Sequence, residues 1–439
     1  MVSGMLSRRR GQFSVAGPVL AACMALAGLA AAGCTTAAAR PPHLRLLVSQ
    51  VVSLYDVPLD IRVTGLNPGD AITLQLETSD RQWSARATFI ARQSALDLDN
   101  VAPVSGSYSG VHGMGLFEAL APRQHGAFLP DGPGPVVFTL TASAPGSRTV
   151  TVRLTREMTG PGVTCARLTV SSNGFYGLYC APAPHSGLRV PVLVFGGSEG
   201  GLATAATAEL LASRGFPALA LAYFDEPGLP DALDRIPLEY FARAARWLGA
   251  RPGAEAQQLT VWGDSRGSEA ALLIGAYFPG IVHAVIAGSP SSVVNGPTSL
   301  THQVPPTDPA WTLGGQPLPV GLPLWDPTSW GDPAAVIPVQ KIRGPVLLLV
   351  GGDDMLWPSP AYARAIMSRL DEYHDRYLHQ ELVFPNAGHS VGGAFPYEVG
   401  TVTFTTPTGP LLLGGTQFAN SVAGTSAWQH VLAFLRRLS

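Results

Sequence analysis

Apolar and polar positions alternate in short runs from residue 44 to about 158, as at 59–64, 71–76, 136–142 and 148–154. Turn formers such as Asn67-Pro68-Gly69-Asp70 separate the runs. Period-two patterning punctuated about every 8–12 residues predicts antiparallel strands buried on one face, hence an immunoglobulin-like β-sandwich. After Arg189 the pattern changes. Largely apolar runs at 190–195, 216–222, 259–262, 284–287, 346–350 and 381–384 alternate with stretches of helical period at 203–213, 238–248, 266–277, 361–370 and 426–438. Strands without internal alternation are buried on both faces, so this part predicts a parallel sheet flanked by helices. The expected organisation is a linker at 34–43, a sandwich at 44–158 and an α/β catalytic domain at 159–439. Its segment 289–339, rich in Pro, Gly and Trp, reads as an insertion of the kind that caps a pocket.

Composition narrows the function classes. With 46% hydrophobic and 13% charged residues the chain is no disordered polymer, and a net charge of −2 leaves no basic footprint for nucleic acid. The 49 glycines and 39 prolines announce many turns. At the N-terminus, Arg8, Arg9 and Arg10 precede an uncharged run to Cys34 whose apolar stretch is Val19–Ala32. That is an export signal rather than a membrane-spanning helix, which needs about 20 apolar residues. Residues 1–33 are therefore read as a leader. The segment Leu29-Ala30-Ala31-Ala32-Gly33-Cys34 resembles a bacterial lipoprotein box, with Ala31 where Leu is usual. The expectation is a lipid on Cys34, export and membrane attachment; the alternatives are ordinary cleavage after the alanines or an uncleaved anchor. The two cysteines of the body, Cys165 and Cys180, lie on alternating runs that flank Ser171–Gly174 as a hairpin would, and in an exported chain they are expected to form a disulfide.

One motif carries chemistry. Gly263-Asp264-Ser265-Arg266-Gly267 follows the apolar run 259–262 and opens a helical stretch. G-x-S-x-G between strand and helix is a nucleophile elbow: small residues let the chain turn sharply and the serine is lifted above the sheet, with the N–H of the next residue, Arg266, aimed at a forming oxyanion. Gly196-Gly197-Ser198-Glu199-Gly200 fits the same pattern. It follows an early strand, however, where such folds place the second oxyanion donor, here Gly197 or Ser198, so Ser265 is preferred as nucleophile. The acid belongs after a later strand, where Gly351-Gly352-Asp353-Asp354 offers two candidates. The base belongs on the next strand's loop, where Ala387-Gly388-His389 stands. The order Ser265, Asp, His389 is that of α/β-hydrolases.

At these residues the chain resembles the family of acyl-CoA thioesterases and bile acid-CoA:amino acid N-acyltransferases. The resemblance spans nearly the whole body. It includes Val57–Pro68 and Ser107–Ala119 in the sandwich, then Phe195–Gly201, Leu211–Phe224, Gly263–Glu269, Gly351–Ser359, Ala387-Gly388-His389, Gly414-Gly415-Thr416 and Trp428. It implies a β-sandwich joined to an α/β-hydrolase domain, and it places the acid on Asp354, with Asp353 as fallback. Glu269 matches a recurrent family glutamate and is read as structural. Transferase members carry Cys as nucleophile, so Ser265 tilts the expectation toward hydrolysis. The implied reaction is cleavage of a small-molecule acyl thioester or ester through an acyl-enzyme, with no metal or organic cofactor. The alternatives are an exported carboxylesterase, transfer to an envelope amine or alcohol, or a surface binding module that keeps a relict hydrolase; the ordered triad argues against the last.

Overall fold

The computed structural model describes residues 43–123, 134–184, 190–298, 300, 309–321, 332–397, 402–406 and 409–439. The predicted leader with Cys34, and two stretches of the predicted insertion at 301–308 and 322–331, lie outside the described residues.

The alternating runs form two antiparallel sheets. Arg45–Val48, Ile61–Thr64 and Ala95–Asp97 make a three-stranded sheet, and Ala71–Thr78, Trp83–Ile90, Val136–Ser143 and Val150–Glu157 are the long strands of a seven-stranded one. Their apolar faces close on each other, with Ile61, Val63, Ile72, Leu74, Leu76, Phe89, Phe138 and Leu140 all inaccessible to solvent.

Eight strands make the second part: β1 (Thr164–Leu168), β2 (Tyr176–Ala181), β3 (Val192–Phe195), β4 (Ala218–Ala222), β5 (Thr260–Asp264), β6 (Ala284–Gly288), β7 (Val346–Gly351) and β8 (Gln380–Phe384). They lie in the order β1-β2-β4-β3-β5-β6-β7-β8. From β4 to β8 the pairings are parallel, whereas β2 runs antiparallel to both neighbours. Successive residues of each central strand feed different cores. Val192 and Val194 join Trp262, Ile286, Leu347 and Leu349 in one cluster, while Leu193 and Phe195 join Val261, Val285, Ala287 and Leu348 in the other. Burial on both faces is why these runs show no alternation.

The register of β1 against β2 sets Cys165 opposite Cys180, and the two sulfurs are bonded. The sequence reading starts the last helix near residue 426, but it begins at Gln417 and runs to Leu438. Its first turns are capped by Thr416 and carry the buried polar residues Asn420 and Ser421, so apolar periodicity begins only later.

The first of the two cores also contains the sandwich's apolar residues, so sandwich and eight-stranded sheet share one interior. One carboxylate ties them. Asp56, 2% exposed, accepts hydrogen bonds from Arg214 Nε at 2.7 Å and Trp428 Nε1 at 2.9 Å, and its other oxygen pairs with Arg214 Nη2. Asp56→Ala strands a guanidinium and an indole N–H at this junction. Arg214 keeps some solvent contact, so the loss should be about 2–4 kcal/mol, toward the low end for broken buried pairs. Chemical denaturation should read it as a lower midpoint, with Asp56→Asn falling between the two.

Candidate active site

The site is built where strands end. Ser265 follows β5 and precedes the helix Arg266–Tyr277, and it takes φ 54° and ψ −120°, a region L-residues avoid. Neighbouring glycines permit this turn. A Cβ on Gly263 would lie 2.0 Å from Gly267 O, and one on Gly267 would lie 2.3 Å from Gly196 O. Ser265 N–H donates to Gly288 O at 2.9 Å, and Ser268 Oγ donates to Ser265 O at 2.6 Å, so the strained residue is held from both sides. Ser198 has no such strain, since its φ is not positive.

His389 follows β8 by way of Ala387 and Gly388. Its N–H donates to Leu413 O at 2.7 Å, and its carbonyl accepts from Ser289 Oγ at 2.5 Å. Nε2 lies 2.9 Å from Ser265 Oγ, and Nδ1 lies 2.8 Å from Asp354 Oδ2. The roles follow from the pairing: Nδ1–H donates to the carboxylate, leaving Nε2 to accept the hydroxyl proton. Asp354 is fixed in turn by Leu356 N–H and Trp357 N–H on Oδ1, at 2.9 and 3.2 Å, and by Ser359 Oγ–H on Oδ2 at 2.5 Å. Asp353, the fallback, is exposed and accepts from Gly415 N–H at 3.0 Å, so Asp354 alone of the two faces the imidazole. All three residues of the series are buried.

The oxyanion donors need a correction. Arg266 opens its helix, so its N–H has no acceptor within the helix. Gly197, however, donates its N–H to Glu199 Oε1 at 2.8 Å. A single N–H serves one acceptor well, which leaves Ser198, the next residue of the turn, beside Arg266. The expected structural role of Glu269 agrees with its contacts: it accepts from Asn295 N–H at 2.9 Å and Trp311 Nε1–H at 2.7 Å and lies 3.1 Å from Arg266 Nε, anchoring part of the 289–339 segment to the nucleophile's helix. Sequence reading missed Ser289, Ser359 and Asn420, whose side chain accepts Gly388 N–H at 2.7 Å. Of these only Ser359 had a signal, as the last residue of the Gly351–Ser359 motif.

Burial by itself would lower the pKa of His389. The charge and hydrogen bond of Asp354 oppose that, Asp264 and Glu199 add to the opposition, and the net shift is upward from 6.5.

The strand order and this hydrogen-bonded series define an α/β-hydrolase. Residues 56–170 match the acyl-CoA thioester hydrolase/BAAT N-terminal region, and residues 236–438 match the BAAT/acyl-CoA thioester hydrolase C-terminal region. The chain is 30% identical over 401 residues to acyl-coenzyme A thioesterase 6 of Mus musculus, covering 88% of this chain and 94% of that one. It is 29% identical over 415 residues to acyl-coenzyme A amino acid N-acyltransferase 2 of Rattus norvegicus, covering 90% and 98%. The chain belongs to the acyl-CoA thioesterase/bile acid-CoA:amino acid N-acyltransferase family.

Two expectations follow for the histidine. A base must be unprotonated to act, and the upward shift moves its charge change above 6.5, so kcat/KM should rise with pH through a midpoint above that value. A flat profile across pH 6–8, on the ordinary histidine range, would remove His389 from the rate-limiting proton transfer. Asp354→Asn should lower kcat on the order of 10⁴-fold by releasing the imidazole from its tautomer. Asp353→Asn should lower it far less.

Proposed function

We propose that this protein hydrolyses acyl thioesters of the acyl-CoA type through an acyl-enzyme on Ser265. The observation that carries the reading is His389, bonded at once to Ser265 Oγ and Asp354 Oδ2. In the first step Ser265 Oγ attacks the acyl carbonyl carbon while His389 Nε2 takes the hydroxyl proton. The resulting oxyanion meets the N–H groups of Arg266 and Ser198. Collapse breaks the carbon–sulfur bond, and the thiolate leaves with the proton from His389. Water, deprotonated by the same nitrogen, then attacks the serine ester, releasing the carboxylic acid and restoring the Ser265 hydroxyl.

A second reading has support in the family. Relatives named as N-acyltransferases match as fully as those named thioesterases, and an amine replaces water in the second half-reaction only if the acyl-enzyme outlives hydrolysis. The serine nucleophile favours water, since an oxygen ester formed from a thioester is the more stable acyl carrier and needs the activated base to release it. Product analysis with an acyl-CoA, with and without added amine, separates the two: free acid in both cases supports hydrolysis, and amide formation in proportion to amine supports transfer. Ser265→Ala should lose on the order of 10⁴-fold or more in turnover while keeping its unfolding midpoint. Ser198→Ala, which retains its backbone N–H, should lose far less. The reverse ranking would move the nucleophile to the other elbow.

We also infer that the mature chain is exported and held at the membrane through lipid on Cys34. The support is the charged, apolar and small-residue sequence ending at that cysteine. Two or three acyl chains hold a protein firmly where one does so marginally. Wild type should partition with membranes and carry a diacylglycerol mass on its N-terminal peptide, and Cys34→Ala should lose that mass. A soluble wild type with its leader intact would overturn the export reading.

A further inference from the structure

The turn after β3 carries a carboxylate that this reaction leaves unused. Glu199 folds back over its own turn. Its Oε1 accepts Gly197 N–H at 2.8 Å, and a Cβ on Gly196 would lie 2.0 Å from that oxygen. Gly197 is held from its other side as well, because Tyr223, just past β4, brings its hydroxyl to 2.8 Å from Gly197 O and 2.9 Å from Gly196 O. The clamped peptide touches the nucleophile. A Cβ on Gly197 would stand 2.8 Å from Ser265 Cβ and 3.1 Å from Glu199 Oε2, so the carboxylate and the serine approach the same glycine. As a whole residue Glu199 keeps solvent exposure, but its carboxylate is folded over Gly196 and Gly197, and burial there raises its pKa.

We propose that Glu199 is a positioning residue for acyl transfer: its carboxylate fixes the Gly197–Ser198 turn against Ser265 and adds a negative charge to those of Asp354 and Asp264 around the imidazolium that forms at His389. The proposal rests on Ser265 as nucleophile. Its first half follows from the clamp. With Gly197 N–H committed to Glu199 and its carbonyl to Tyr223, the peptide plane between Gly197 and Ser198 has little freedom, and that plane orients Ser198 N–H. Its second half follows from the groups around His389. Among the described residues, Asp354 from the turn after β7, Asp264 at the end of β5 and Glu199 from the turn after β3 are the charged groups acting on it, and all three are acidic. His389 and Tyr223 interact with Glu199; Asp225 and Glu226, from the segment after β4, approach the adjacent Gly200 and Gly201; and Arg266, Glu269 and Asp264 act on Tyr223. The cation that Glu199 favours is therefore the protonated imidazole, present in the transition state and absent from the resting base. Its effect on His389 is smaller than that of Asp354 or Asp264.

Two variants divide the halves. Glu199→Gln keeps an oxygen acceptor at the same length and removes the charge, whereas Glu199→Ala removes both. The reading is the second-order rate of labelling by an uncharged fluorophosphonate between pH 5 and 9, with the modified peptide identified. In Glu199→Gln the midpoint of the rise should fall by a few tenths of a unit to about one unit, because losing a negative charge destabilises the imidazolium. In Glu199→Ala the midpoint should fall equally, and the high-pH plateau should drop about tenfold or more below that of the Gln variant as the turn loosens. An unchanged midpoint in Glu199→Gln overturns the electrostatic half. Equal plateaus in the two variants overturn the clamp, and a Gln variant faster than wild type at every pH makes the carboxylate an obstruction and overturns both. Label on a residue other than Ser265 in the wild type instead overturns the nucleophile assignment, an outcome visible before either variant is made.

Discussion

Backbone lies against backbone at the carboxyl edge of the sheet, and the site exists only because it can. Neighbouring strands of a sheet are about 4.8 Å apart, so loops leaving β5 to β8 must cross at that spacing. They cross through residues without side chains. A Cβ on Gly288, at the end of β6, would fall 2.0 Å from Gly392 O in the turn after His389, and one on Gly351, at the end of β7, would fall 2.1 Å from Gly388 O. These approaches bring the loops of Asp354 and His389 close enough for one imidazole to span from carboxylate to serine. Replacing either glycine by alanine pushes apart backbones that no rotamer change can relieve.

The sandwich supplies no group to the series Ser265, His389, Asp354, yet it bears on it. Tyr55 donates its hydroxyl to Tyr397 O at 3.3 Å, and the buried Arg156 guanidinium lies 5.8 Å from the Tyr397 ring and 5.5 Å from that of Phe117. Tyr397 belongs to the segment that follows His389. The last helix completes the brace, since Trp428 binds Asp56 of the sandwich while Asn420, two turns earlier, accepts the Gly388 N–H and donates to Gly414 O. Two routes thus run from the N-terminal sheets to the histidine loop, and they pass through buried hydrogen bonds that cannot be lost without leaving a polar group unsatisfied. This accounts for one interior shared between parts that the sequence pattern separates at about residue 158.

Within the site, charge and geometry serve different steps. The carboxylate of Asp354 is held by two N–H groups and a hydroxyl, which keeps it pointed at Nδ1 and ready to stabilise the imidazolium. Ser265 stands on a strained turn that leaves its hydroxyl within hydrogen-bond reach of Nε2. On the proposed mechanism the same arrangement would serve hydrolysis and transfer alike. What separates them is the second acceptor's access to the acyl-enzyme, which accords with a family that holds relatives named for both.

Much of this was legible beforehand. Alternation in 59–64 and 71–76, and its absence in 190–195 and 346–350, distinguish one-sided from two-sided burial, so both fold classes follow from the pattern of residues. The elbow, the order Ser265, Asp, His389 and the Cys165–Cys180 pairing follow from local motifs, because each depends on neighbours in the chain or on a hairpin. Asn420, Glu199's hold on Gly197 and the choice of Asp354 over Asp353 did not follow in the same way. The first two join groups whose spacing in space is unrelated to apolar periodicity, and the third needed a family resemblance since adjacent aspartates differ only in which way the turn points them. Local sequence determined which residues can turn, alternate or react. Tertiary structure decided which of them meet, because hydrogen bonds between loops depend on strand order and close backbone approach, and these are settled only when distant segments pack together.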